Sequence, residues 1–425
     1  MRVLVIGGGG REHALIRAIR KNPTVTEILA MPGNGGIAQD AVCVPVKATD
    51  LDAVCAFVKE NPVDFAVVAP DDPLALGLVD RLHAMGVACF GPEAKAARIE
   101  SSKAFAKNLM KRYGIPTAEF RVFSNEAEAV AHLDSVHYPV VIKADGLALG
   151  KGVIIAADRT EAQSAVHGMM SEGMFGKSGE TLVIEEFLTG PEVSVLAFTD
   201  GHTIKPMISS MDHKRAHDGD TGLNTGGMGT IAPNPYYTPE IAEQCMREIF
   251  LPTVSAMRAE GCPFKGCLYF GLMLTPSGPK VIEYNCRFGD PETQVVLPLL
   301  KSDLLTIMMA VEEERLSEVP VEWEDGAACC VMIASAGYPQ AYEKGKKIDL
   351  GRACSRESVT VYHSGTALRD GNLVTAGGRV LGVTAVGSSL AQAVSRAYEA
   401  ADDISFEGAF FRRDIGQRAL NASKE

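Results

Sequence analysis

A loop of glycines and polar residues occupies Asn224–Gly229, shortly after the charged segment Asp212–Arg215. Glycine allows a backbone to approach a ligand closely and to adopt positive φ angles. The asparagine, threonine, lysine and arginine side chains beside it donate hydrogen bonds that suit phosphate and carboxylate oxygens. This combination predicts a loop that binds an anionic ligand rather than the interior of a helix or strand.

A second dense cluster, Val281–Thr293, begins as an apolar strand and opens into charged and turn residues. Glu283 and Asn285 are two residues apart, so on a strand their side chains project from the same face. A carboxylate and an amide oxygen, together with water and phosphate oxygens, are ligands that Mg²⁺ takes. Simple alternation on an exposed strand is the alternative, but the charges among turn residues at Arg287–Glu292 favour a site. The two clusters together predict an enzyme that handles phosphate and a metal.

The glycine-rich segment Gly146–Gly152 is similar to the phosphate-binding loop of P-loop nucleotidases but departs from its pattern. Its glycines are one residue too close, and Gly152 stands where a serine or threonine would hold Mg²⁺. The segment also lies between two predicted strands rather than between a strand and a helix. We therefore expect a hairpin that covers a triphosphate. Lys143, on the preceding strand, is expected to pair with an anion there rather than to extend into solvent.

The N-terminal glycines Gly7–Gly10 follow a strand, as in a dinucleotide-binding motif, but the match is poor. Glu12 stands at the position of the motif's last glycine, and Pro32–Gly36 replaces the acidic residue that would hold a ribose. A glycine loop at a helix N-terminus can still bind one phosphate through backbone N–H groups. We favour phosphate binding over a purely structural turn, because a second glycine loop follows the next strand.

Some other polar residues carry weaker signals. His213, beside Asp212, could carry a proton or could serve only to position the loop. Arg412–Asp414, near the end of the chain, is typical of a solvated terminus, and no chemistry is assigned to it. Four further histidines have no evident partner and are expected to be structural or exposed: His13, His83, His132 and His137.

The spacing of apolar residues predicts the elements that position these clusters. Short apolar strands alternate with helices over the first hundred residues, which predicts a parallel sheet with ligands at the carboxyl ends of its strands. A smaller α+β unit follows, with a helix at Arg159–Met170 and a strand at Leu182–Glu186. From Glu192 to about Leu305 the pattern indicates long strands and loops, and a last unit begins at Ala327. The predicted fold class is therefore α/β and α+β, with several domains.

The composition limits the class of protein. In 425 residues the formal net charge is −12, which argues against general nucleic-acid binding because that needs a basic surface. No apolar run of the sequence approaches the ~20 residues of a membrane span. The ten cysteines contain no C-x-x-C pair, so we expect reduced thiols rather than disulfides or zinc ligands. Because the chain begins directly with the strand Val3–Ile6, we expect no signal peptide and a cytoplasmic location.

The motifs occur in an order that resembles the phosphoribosylamine–glycine ligases, a family of ATP-grasp enzymes. The resemblance covers essentially the full length and rests on these segments: Gly7–His13, Pro32–Gly36, Val141–Gly152, Ile184–Leu188, Asp212–Arg215, Asn224–Gly229, Glu283–Thr293 and Leu381–Gly387. It implies an ATP-grasp fold with an N-terminal parallel-sheet domain at 1–102 and a C-terminal mixed α/β cap domain at 325–425. The ATP-grasp domain itself would span 103–315, with a small lid subdomain at about 117–188.

The resemblance also implies a role for each matched position, with ATP and Mg²⁺ or Mn²⁺ as cofactors. The residues that would bind ATP are Lys103, Lys143, Gly146, Gly150, Lys151, Gly152, Glu185, Glu186, Leu188 and Glu192. Those that would bind phosphoribosylamine are Gly8, Gly9, Gly10, Asn34, Gly35, Gly36, Asp71, Asn224, Thr225 and Gly226. The residues that would surround glycine and the transferred phosphoryl group are Asp212, Lys214, Arg287 and Asp290. Glu283 and Asn285 would ligate the metal.

The implied reaction joins glycine to 5-phosphoribosylamine in purine biosynthesis, through glycyl phosphate, in a monomeric enzyme that acts on small molecules. The chain departs from the family pattern at Asp71, where a glutamate is usual, so a substrate hydroxyl contact could shift. As in that family, Cys267–Leu274 supplies no additional acidic metal ligand.

Three alternatives stay open at this point. Another ATP-grasp ligase or carboxylase would share the lid and the metal pair but could use bicarbonate. A nicotinamide-dependent dehydrogenase is suggested by the N-terminal glycines, although the missing third glycine of the motif speaks against it. A non-catalytic nucleotide-binding regulator would be expected to have lost a lysine or a metal ligand, and none is lost here.

Overall fold

The computed structural model describes residues 1–147 and 152–422. The N-terminal part of the chain, residues 1–90, is called the first segment and contains a five-stranded parallel sheet in the order β3-β2-β1-β4-β5. The strands are β1 (Arg2–Gly7), β2 (Glu27–Pro32), β3 (Val42–Cys43), β4 (Phe65–Val68) and β5 (Ala88–Phe90). The helices of this segment are α1 (Gly10–Ile19), α2 (Leu51–Glu60), α3 (Asp71–Ala75) and α4 (Leu78–Ala84). The parallel sheet predicted from the alternating pattern is confirmed.

Three loops of this segment follow strands β1, β2 and β4 at one edge of the sheet. Because β1 and β2 are parallel, Gly7 lies beside Pro32 in the register. A Cβ on Gly8 would approach the carbonyl oxygen of Gly33 to 2.4 Å, so the contact between the first two loops requires glycine. The third loop leads into α3, which begins at Asp71. All three loops therefore lie where parallel sheets bind ligands.

Two helices, α5 (Ala94–Ser101) and α6 (Lys103–Tyr113), connect the first sheet to the next. The sequence pattern indicates one helical linker over Glu93–Tyr113, but the backbone of Ser102 is extended and interrupts it. The Ser102 hydroxyl accepts a hydrogen bond from the N–H of Phe105 at 3.1 Å and so caps α6. This cap places Lys103 in the first turn of α6.

A four-stranded antiparallel sheet follows in the order β6-β9-β7-β8. Its strands are β6 (Phe120–Phe123), β7 (Val140–Ala144), β8 (Val153–Ala156) and β9 (Leu182–Glu186). The helices packed with it are α7 (Glu126–His132) and α8 (Arg159–Met170). The predicted bounds of α8 are confirmed, because Asp158 accepts hydrogen bonds from Thr160 and Glu161 and defines its first residue.

The middle of the chain contains two sets of strands. They are β10 (Glu192–Asp200), β11 (Ile204–Pro206), β12 (Met211–Asp212), β13 (Arg215–His217), β14 (Thr221–Asn224), β15 (Gly229–Ala232), β16 (Lys265–Thr275) and β17 (Gly278–Asn285). An antiparallel sheet has the order β11-β10-β16-β17. Its register shifts between Gly271 and Leu272, which face Glu283 and Val281, so Ile282 is an extra residue on β17.

Helices in the middle of the chain are a difference from the expected strands and loops. They are α9 (Pro239–Cys245), α10 (Leu251–Ala259), α11 (Thr293–Val296) and α12 (Leu304–Glu312). The hydroxyl of Thr238 accepts a hydrogen bond from Ile241, and Pro239 occupies the first turn, which together start α9. This start signal is present in the sequence, and the strand-rich interpretation of this region is wrong there.

The last sheet is shared between the middle and the end of the chain. Its order is β12-β15-β18-β22-β19. The elements that follow α12 are β18 (Ala327–Ser335), β19 (Val359–His363), β20 (Thr366–Arg369), β21 (Asn372–Thr375), β22 (Arg379–Gly387), α13 (Leu390–Ala401), β23 (Ala409–Phe410) and α14 (Gln417–Ala422). Because β15 pairs with β12 at Asp212 and with β18 along Gly229–Ala232, one sheet contains both Asp212 and the Gly229 end of the glycine loop.

Candidate active site

A cleft of about 1030 Å³ is lined by residues from the N-terminal, middle and C-terminal parts of the chain. The predicted site residues that line it are Asp71, Lys103, Lys143, Gly146, Gly152, Glu185, Glu186, Leu188, Glu192, Asp212, Lys214, Asn224, Thr225, Gly226, Glu283, Asn285, Arg287 and Asp290. The predicted residues that are described but absent from its lining are Gly8, Gly9, Gly10, Asn34, Gly35 and Gly36. Gly150 and Lys151 lie outside the described residues.

Two of the predicted lysines reach the cleft from α6 and β7. Lys103 Nζ donates to the carbonyl oxygen of Gly146 at 2.9 Å. Lys143 is buried, lies 2.9 Å from Glu185 Oε1 and donates to the carbonyl oxygen of Ile282 at 3.0 Å. Burial lowers the pKa of Lys103. The two ammonium groups are thus held in fixed positions, as a phosphate-binding pair requires.

Lys107 is a cleft residue that the sequence analysis misses. Its Nζ lies 2.8 Å from Glu185 Oε2 and donates to the Thr117 hydroxyl at 2.7 Å. Burial lowers the pKa of Lys107 to about 8. The Glu185 carboxylate therefore bridges Lys107 and Lys143. Because Lys103 and Lys107 are four residues apart, they share a face of α6, and that spacing is the signal that could have identified Lys107.

Glu283 and Asn285, on β17, both line the cleft. Glu283 Oε1 lies 3.6 Å from Lys214 Nζ, and Asn285 Oδ1 accepts a hydrogen bond from Arg287 at 3.3 Å. Burial acts to raise the pKa of Glu283, but nearby cations, Lys214 foremost, outweigh it and hold the pKa below its usual value. A carboxylate and an amide oxygen fit a hard divalent cation. Within residues 1–147 and 152–422 no group of three or more His, Cys, Asp or Glu side chains could hold a metal, so an ion bound here would also use water and phosphate.

Asp212 and Lys214 bring opposite charges to the cleft. Lys214 Nζ lies 3.5 Å from Glu192 Oε2, and acidic neighbours, Glu192 foremost, raise the pKa of Lys214 well above its usual value. Burial raises the pKa of Asp212 well above its usual value, and the charge of Glu292 adds to this effect. Glu292 is buried and accepts a hydrogen bond from the Tyr269 hydroxyl at 3.2 Å. Two neighbouring buried carboxyl groups favour binding of a cationic group between them.

Arg287 and Asp290 are held by side chains from distant segments. Arg287 lies 3.1 Å from Glu100 Oε1. Asp290 Oδ1 lies 3.5 Å from Arg379, which also donates to the carbonyl oxygens of Asp290 at 2.8 Å and Gly226 at 2.6 Å. Arg379 is another residue that the sequence analysis misses, because its contacts join β22 to two segments far from it in the chain.

The predicted loops of the first segment lie beside the cleft and contact the C-terminal segment. Asn34 Nδ2 donates to the carbonyl oxygens of Gly8 at 3.0 Å and His363 at 2.7 Å, and Asn34 Oδ1 accepts a hydrogen bond from the Gly36 N–H at 2.9 Å. The N–H of His363 in turn donates to His13 Nδ1 at 2.9 Å. The Asn34 side chain is thus used to shape the loop, which leaves backbone groups to meet a ligand.

Comparison with known proteins assigns the chain to a family. The model described as phosphoribosylglycinamide synthetase, ATP-grasp (A) domain, matches residues 101–293, and the N and C domain models of the same family match 1–100 and 328–418. The phosphoribosylamine–glycine ligase of Chlorobaculum tepidum is 49% identical over 99% of this chain and 100% of its own length. The chain belongs to the phosphoribosylamine–glycine ligase family. The enzyme of that name from Caulobacter vibrioides is 48% identical over 99% of both chains.

Solved structures place this phosphoribosylamine–glycine ligase family member in the ATP-grasp fold. The crystal structure of the Thermotoga maritima phosphoribosylamine–glycine ligase is 36% identical, with a TM-score of 0.85 over 98% of this chain and 100% of that chain. The biotin carboxylase domain of the Hydrogenobacter thermophilus 2-oxoglutarate carboxylase is 17% identical, with a TM-score of 0.76 over 100% and 94% of the two chains. The second likeness concerns the fold alone, and the predicted ATP-grasp architecture is confirmed.

In this family member the backbone engages both ring nitrogens of His213. Nε2 accepts a hydrogen bond from the Gly416 N–H at 3.2 Å, so Nδ1 carries the proton and donates to the carbonyl oxygen of Gly229 at 3.1 Å. Burial lowers the pKa of His213 to about 4. Of the two roles left open by the sequence, the structure therefore favours positioning over proton transfer.

The prediction of a solvated terminus is wrong for Arg412 of this family member. Its side chain is only 1% exposed, lies 2.9 Å from Asp220 and 2.7 Å from Asp414, and lines the cleft. The side chain of the next residue, Arg413, is 60% exposed. The two neighbouring arginines therefore differ in burial although they are the same residue type, and the sequence does not distinguish them.

His13 and His83 also have partners that the sequence does not indicate. His13 Nδ1 accepts the His363 N–H, so its Nε2 carries the proton and donates to Asp40 at 3.0 Å. His83 Nε2 lies 3.1 Å from Glu312 Oε1. Both contacts join residues that are far apart in the chain, which is why local sequence carries no signal for them.

Proposed function

We propose that this chain ligates glycine to 5-phosphoribosylamine, giving glycinamide ribonucleotide, ADP and phosphate. Its relatives carry the name of that reaction. The observation that supports the proposal best is the meeting of two motifs in one cleft: Lys214 lies 3.6 Å from Glu283, which joins the charged segment to the candidate metal pair. A cleft lined both by lysines and by neighbouring buried carboxyl groups suits a triphosphate and an amino acid together.

The nucleotide would bind along the side of the cleft formed by α6, β7 and the end of β9. Lys103 and Lys143 would hold phosphate oxygens, the backbone of Glu185–Leu188 would pair with adenine, and Glu192 would bind the ribose. Gly146 and Gly152, at the two ends of the predicted lid, line the cleft. Closure of that lid would exclude water, which would otherwise hydrolyse an acyl phosphate.

A divalent cation, Mg²⁺ or Mn²⁺, would bind Glu283 and Asn285 and would supply neutralisation of phosphate charge. The pKa of Glu283 stays below its usual value because of the surrounding cations, so this carboxyl group is ionised and able to bind the metal at neutral pH. Asn285 is held by its hydrogen bond from Arg287. Glu283 and Asn285 would hold the cation, whose charge would offset that of the ATP phosphates.

The chemistry divides into two displacements. In the first, a carboxylate oxygen of glycine attacks the γ-phosphorus of ATP, ADP leaves, and glycyl phosphate forms. In the second, the amine nitrogen of the sugar attacks the glycyl carbonyl carbon, phosphate leaves, and the nitrogen loses a proton to give the amide. Activation by ATP is needed because oxide is too poor a leaving group for direct attack by an amine. Lys214 and Arg287 would stabilise the phosphoryl charge in the first step through fixed positive groups.

The substrates would be oriented by opposite walls of the cleft. The carboxyl groups of Asp212 and Glu292 would hold the ammonium group of glycine. Burial, with the charge of Glu292 added to it, raises the pKa of Asp212, and a bound cation offsets both effects. The Asn224–Gly226 loop and Asp71 would bind phosphoribosylamine, together with backbone groups of Gly8–Gly10 and Asn34–Gly36. Fixed substrates convert each step into an effectively unimolecular reaction.

The decisive experiment measures phosphate release from ATP and Mg²⁺, with phosphoribosylamine generated in situ and each substrate omitted in turn. We expect release only when both glycine and the amine are present, with one glycinamide ribonucleotide formed per phosphate. Release that ignores glycine but responds to another carboxylate or to bicarbonate would keep the ATP-grasp assignment and discard the proposed substrates.

We also propose that the protein acts as a cytoplasmic monomer. No helix in the part of the chain that the structure describes is long and apolar enough to cross a membrane. Size-exclusion chromatography with light scattering should give one chain per particle across the concentrations used for assay. A particle mass of two or more chains at assay concentration would contradict the monomer. The domain boundaries near 102 and 325 stay a prediction that limited proteolysis can test.

A further inference from the structure

The hairpin formed by β13 and β14 is flanked on both sides by residues that we assign to the active site. Lys214 precedes it, and the Asn224–Gly226 loop follows it. Residues 217–224 between these ends are all exposed, and Leu223 is 51% exposed. Apart from the small buried side chain of Ala216 and a ring contact between His217 and Phe410, the hairpin packs little apolar surface. Polar contacts must therefore supply most of what holds it over the cleft.

The C-terminal segment supplies those contacts through one side chain. Arg412 donates to the carbonyl oxygen of Arg215 at 3.1 Å and to Asp220 at 2.9 Å. The same guanidinium forms a two-point contact with Asp414, at 2.7 Å from Nε and 2.8 Å from the second terminal nitrogen. Asp220 has a φ of 52°, a left-handed conformation that persists only where neighbouring groups stabilise it.

The Asp414 side chain and the backbone of Arg413 add further contacts with the hairpin. The N–H of Gly219 donates to Asp414 at 2.9 Å, and the N–H of Arg413 donates to Asp218 at 2.7 Å. The segment is itself fixed, because β23 pairs with β18 and the Tyr398 hydroxyl donates to the carbonyl oxygen of Arg412 at 2.9 Å. The C-terminal segment at Arg412–Asp414 thus holds the exposed hairpin through hydrogen bonds and ion pairs.

We infer that Arg412 is a positioning residue that holds the β13–β14 hairpin over the cleft, so that Lys214 and the Asn224–Gly226 loop keep their places. This inference rests on the proposed function for its effect on turnover. Whether Arg412 holds the hairpin in place can be measured without any substrate. Arg412 suits the task because its charge is buried and satisfied by two carboxylates and a carbonyl oxygen, which makes each contact costly to break.

The test compares Arg412→Met with Arg413→Met. Both changes remove one guanidinium and keep a long side chain. The Arg413 side chain, however, is 60% exposed, pairs with Asp402 and lies over the Phe411 ring, so it makes no side-chain contact with the hairpin among the residues described. In the absence of substrates, we expect trypsin to cleave after Lys214 and Arg215 roughly tenfold faster in Arg412→Met than in Arg413→Met. Equal cleavage rates in the two folded variants would contradict the inference that Arg412 holds the hairpin in place.

Turnover supplies the second measurement. Arg412→Met should lower kcat by about 10²-fold, because small misplacements of reacting groups cost that much, while the KM for ATP stays near the wild-type value. In Arg412→Ala, whose short side chain leaves room for the reagent, added methylguanidine should restore part of the lost kcat, which a general loss of stability would not allow. Wild-type kcat in a soluble Arg412→Met protein would refute the positioning role.

A milder variant keeps the inference testable if Arg412→Met does not fold. Asp220→Asn removes one partner of Arg412 at a side chain that is 53% exposed, so the fold should tolerate it. We expect the same two effects, smaller in size, and an unchanged variant would count against the inference. If the wild-type enzyme shows no turnover with glycine and the amine, the proposed function fails. The proteolysis comparison would still show whether Arg412 holds the hairpin in place.

Discussion

The two sides of the cleft are held together by different kinds of contact. On the side proposed for the nucleotide (the nucleotide side), Lys107 and Lys143 pair with Glu185, and all three side chains are buried. On the side proposed for the sugar (the sugar side), the Asn34 side chain donates to the carbonyl oxygen of His363, 329 residues later. The nucleotide side is therefore stabilised by buried ion pairs, and the sugar side by hydrogen bonds between distant segments.

This difference explains why the two sides respond differently to single substitutions. Removing one member of a buried ion pair leaves an uncompensated charge, which affects the stability of the whole unit. Removing a hydrogen bond between loops mainly changes where those loops lie, because the strands beneath them keep their own ladders. We therefore expect stability effects on the nucleotide side and substrate-specific effects on the sugar side.

Glu283→Ala should have the largest effect, because Glu283 lies where the two sides meet. Loss of the carboxylate would remove the candidate metal ligand and lower kcat by at least about 10³-fold, with an unchanged thermal midpoint. The assay is phosphate release at saturating Mg²⁺, with the exposed Glu240→Ala on α9 as the matched control. Near-wild-type activity of Glu283→Ala would disprove the metal assignment.

Glu185→Gln tests the nucleotide side. The change leaves Lys107 and Lys143 without their carboxylate partner, so the free energy of unfolding should fall by about 3–5 kcal/mol. Urea unfolding measures it, with Glu186→Gln as the control. Glu186 pairs with Lys280 at 3.0 Å near the surface, so its loss should cost at most about 1 kcal/mol. Equal losses in the two variants would show that the buried pairs do not stabilise this side.

Asn34→Ala tests the sugar side. Its amide makes hydrogen bonds to Gly8, Gly36 and His363, so the loop should lose its shape while the sheet stays folded. We expect the KM for phosphoribosylamine to rise by roughly tenfold with an unchanged KM for ATP, which corresponds to the worth of one or two hydrogen bonds. The exposed Asn372→Ala, whose side chain bonds only locally to Asp370 among the residues described, is the control. A matching rise in both KM values would contradict the separation of the two sides.

Local patterns in the sequence predict the parts of the molecule that depend on near neighbours. The helix Arg159–Met170 follows from its Asp158 cap and apolar spacing, and its bounds are confirmed. Glu283 and Asn285 are found from their spacing on a strand, and the structure places both in the cleft. The parallel sheet at the N-terminus follows in the same way from alternating strands and helices.

The parts that local patterns do not predict depend on contacts between distant residues. Arg379 contacts Gly226 and Asp290, and Arg412 contacts Asp220, across separations of 89 residues or more. A basic residue near a chain end looks solvated unless its partners are known, so the sequence alone indicates a surface role. The pairing of β15 with β18 cannot be predicted from local sequence either, because each strand is apolar and no nearby residue identifies its partner strand.

The smallest effect concerns the pH dependence of stability and His213, which lies between β12 and β13. Burial lowers the pKa of His213 to about 4 in the folded protein, whereas in the unfolded chain it returns to its ordinary value of about 6.5. Below that ordinary value the unfolded chain binds the proton first, so stability falls as the pH decreases from about 6.5 toward 4 and is fully present above this window.

Replacing His213 with glutamine should therefore flatten the dependence of the unfolding free energy on pH between about 6.5 and 4, even if it lowers stability at neutral pH. Urea unfolding at a series of pH values measures the slope, with the exposed His217→Gln on the same hairpin as the matched control. A second buried histidine, His363, keeps part of the slope in both variants, because burial lowers its pKa to about 3. An unchanged slope in His213→Gln would mean that its ring is not held neutral between Gly229 and Gly416, and the hairpin would then be tied to the C-terminal segment by Arg412 and its neighbours without help from His213.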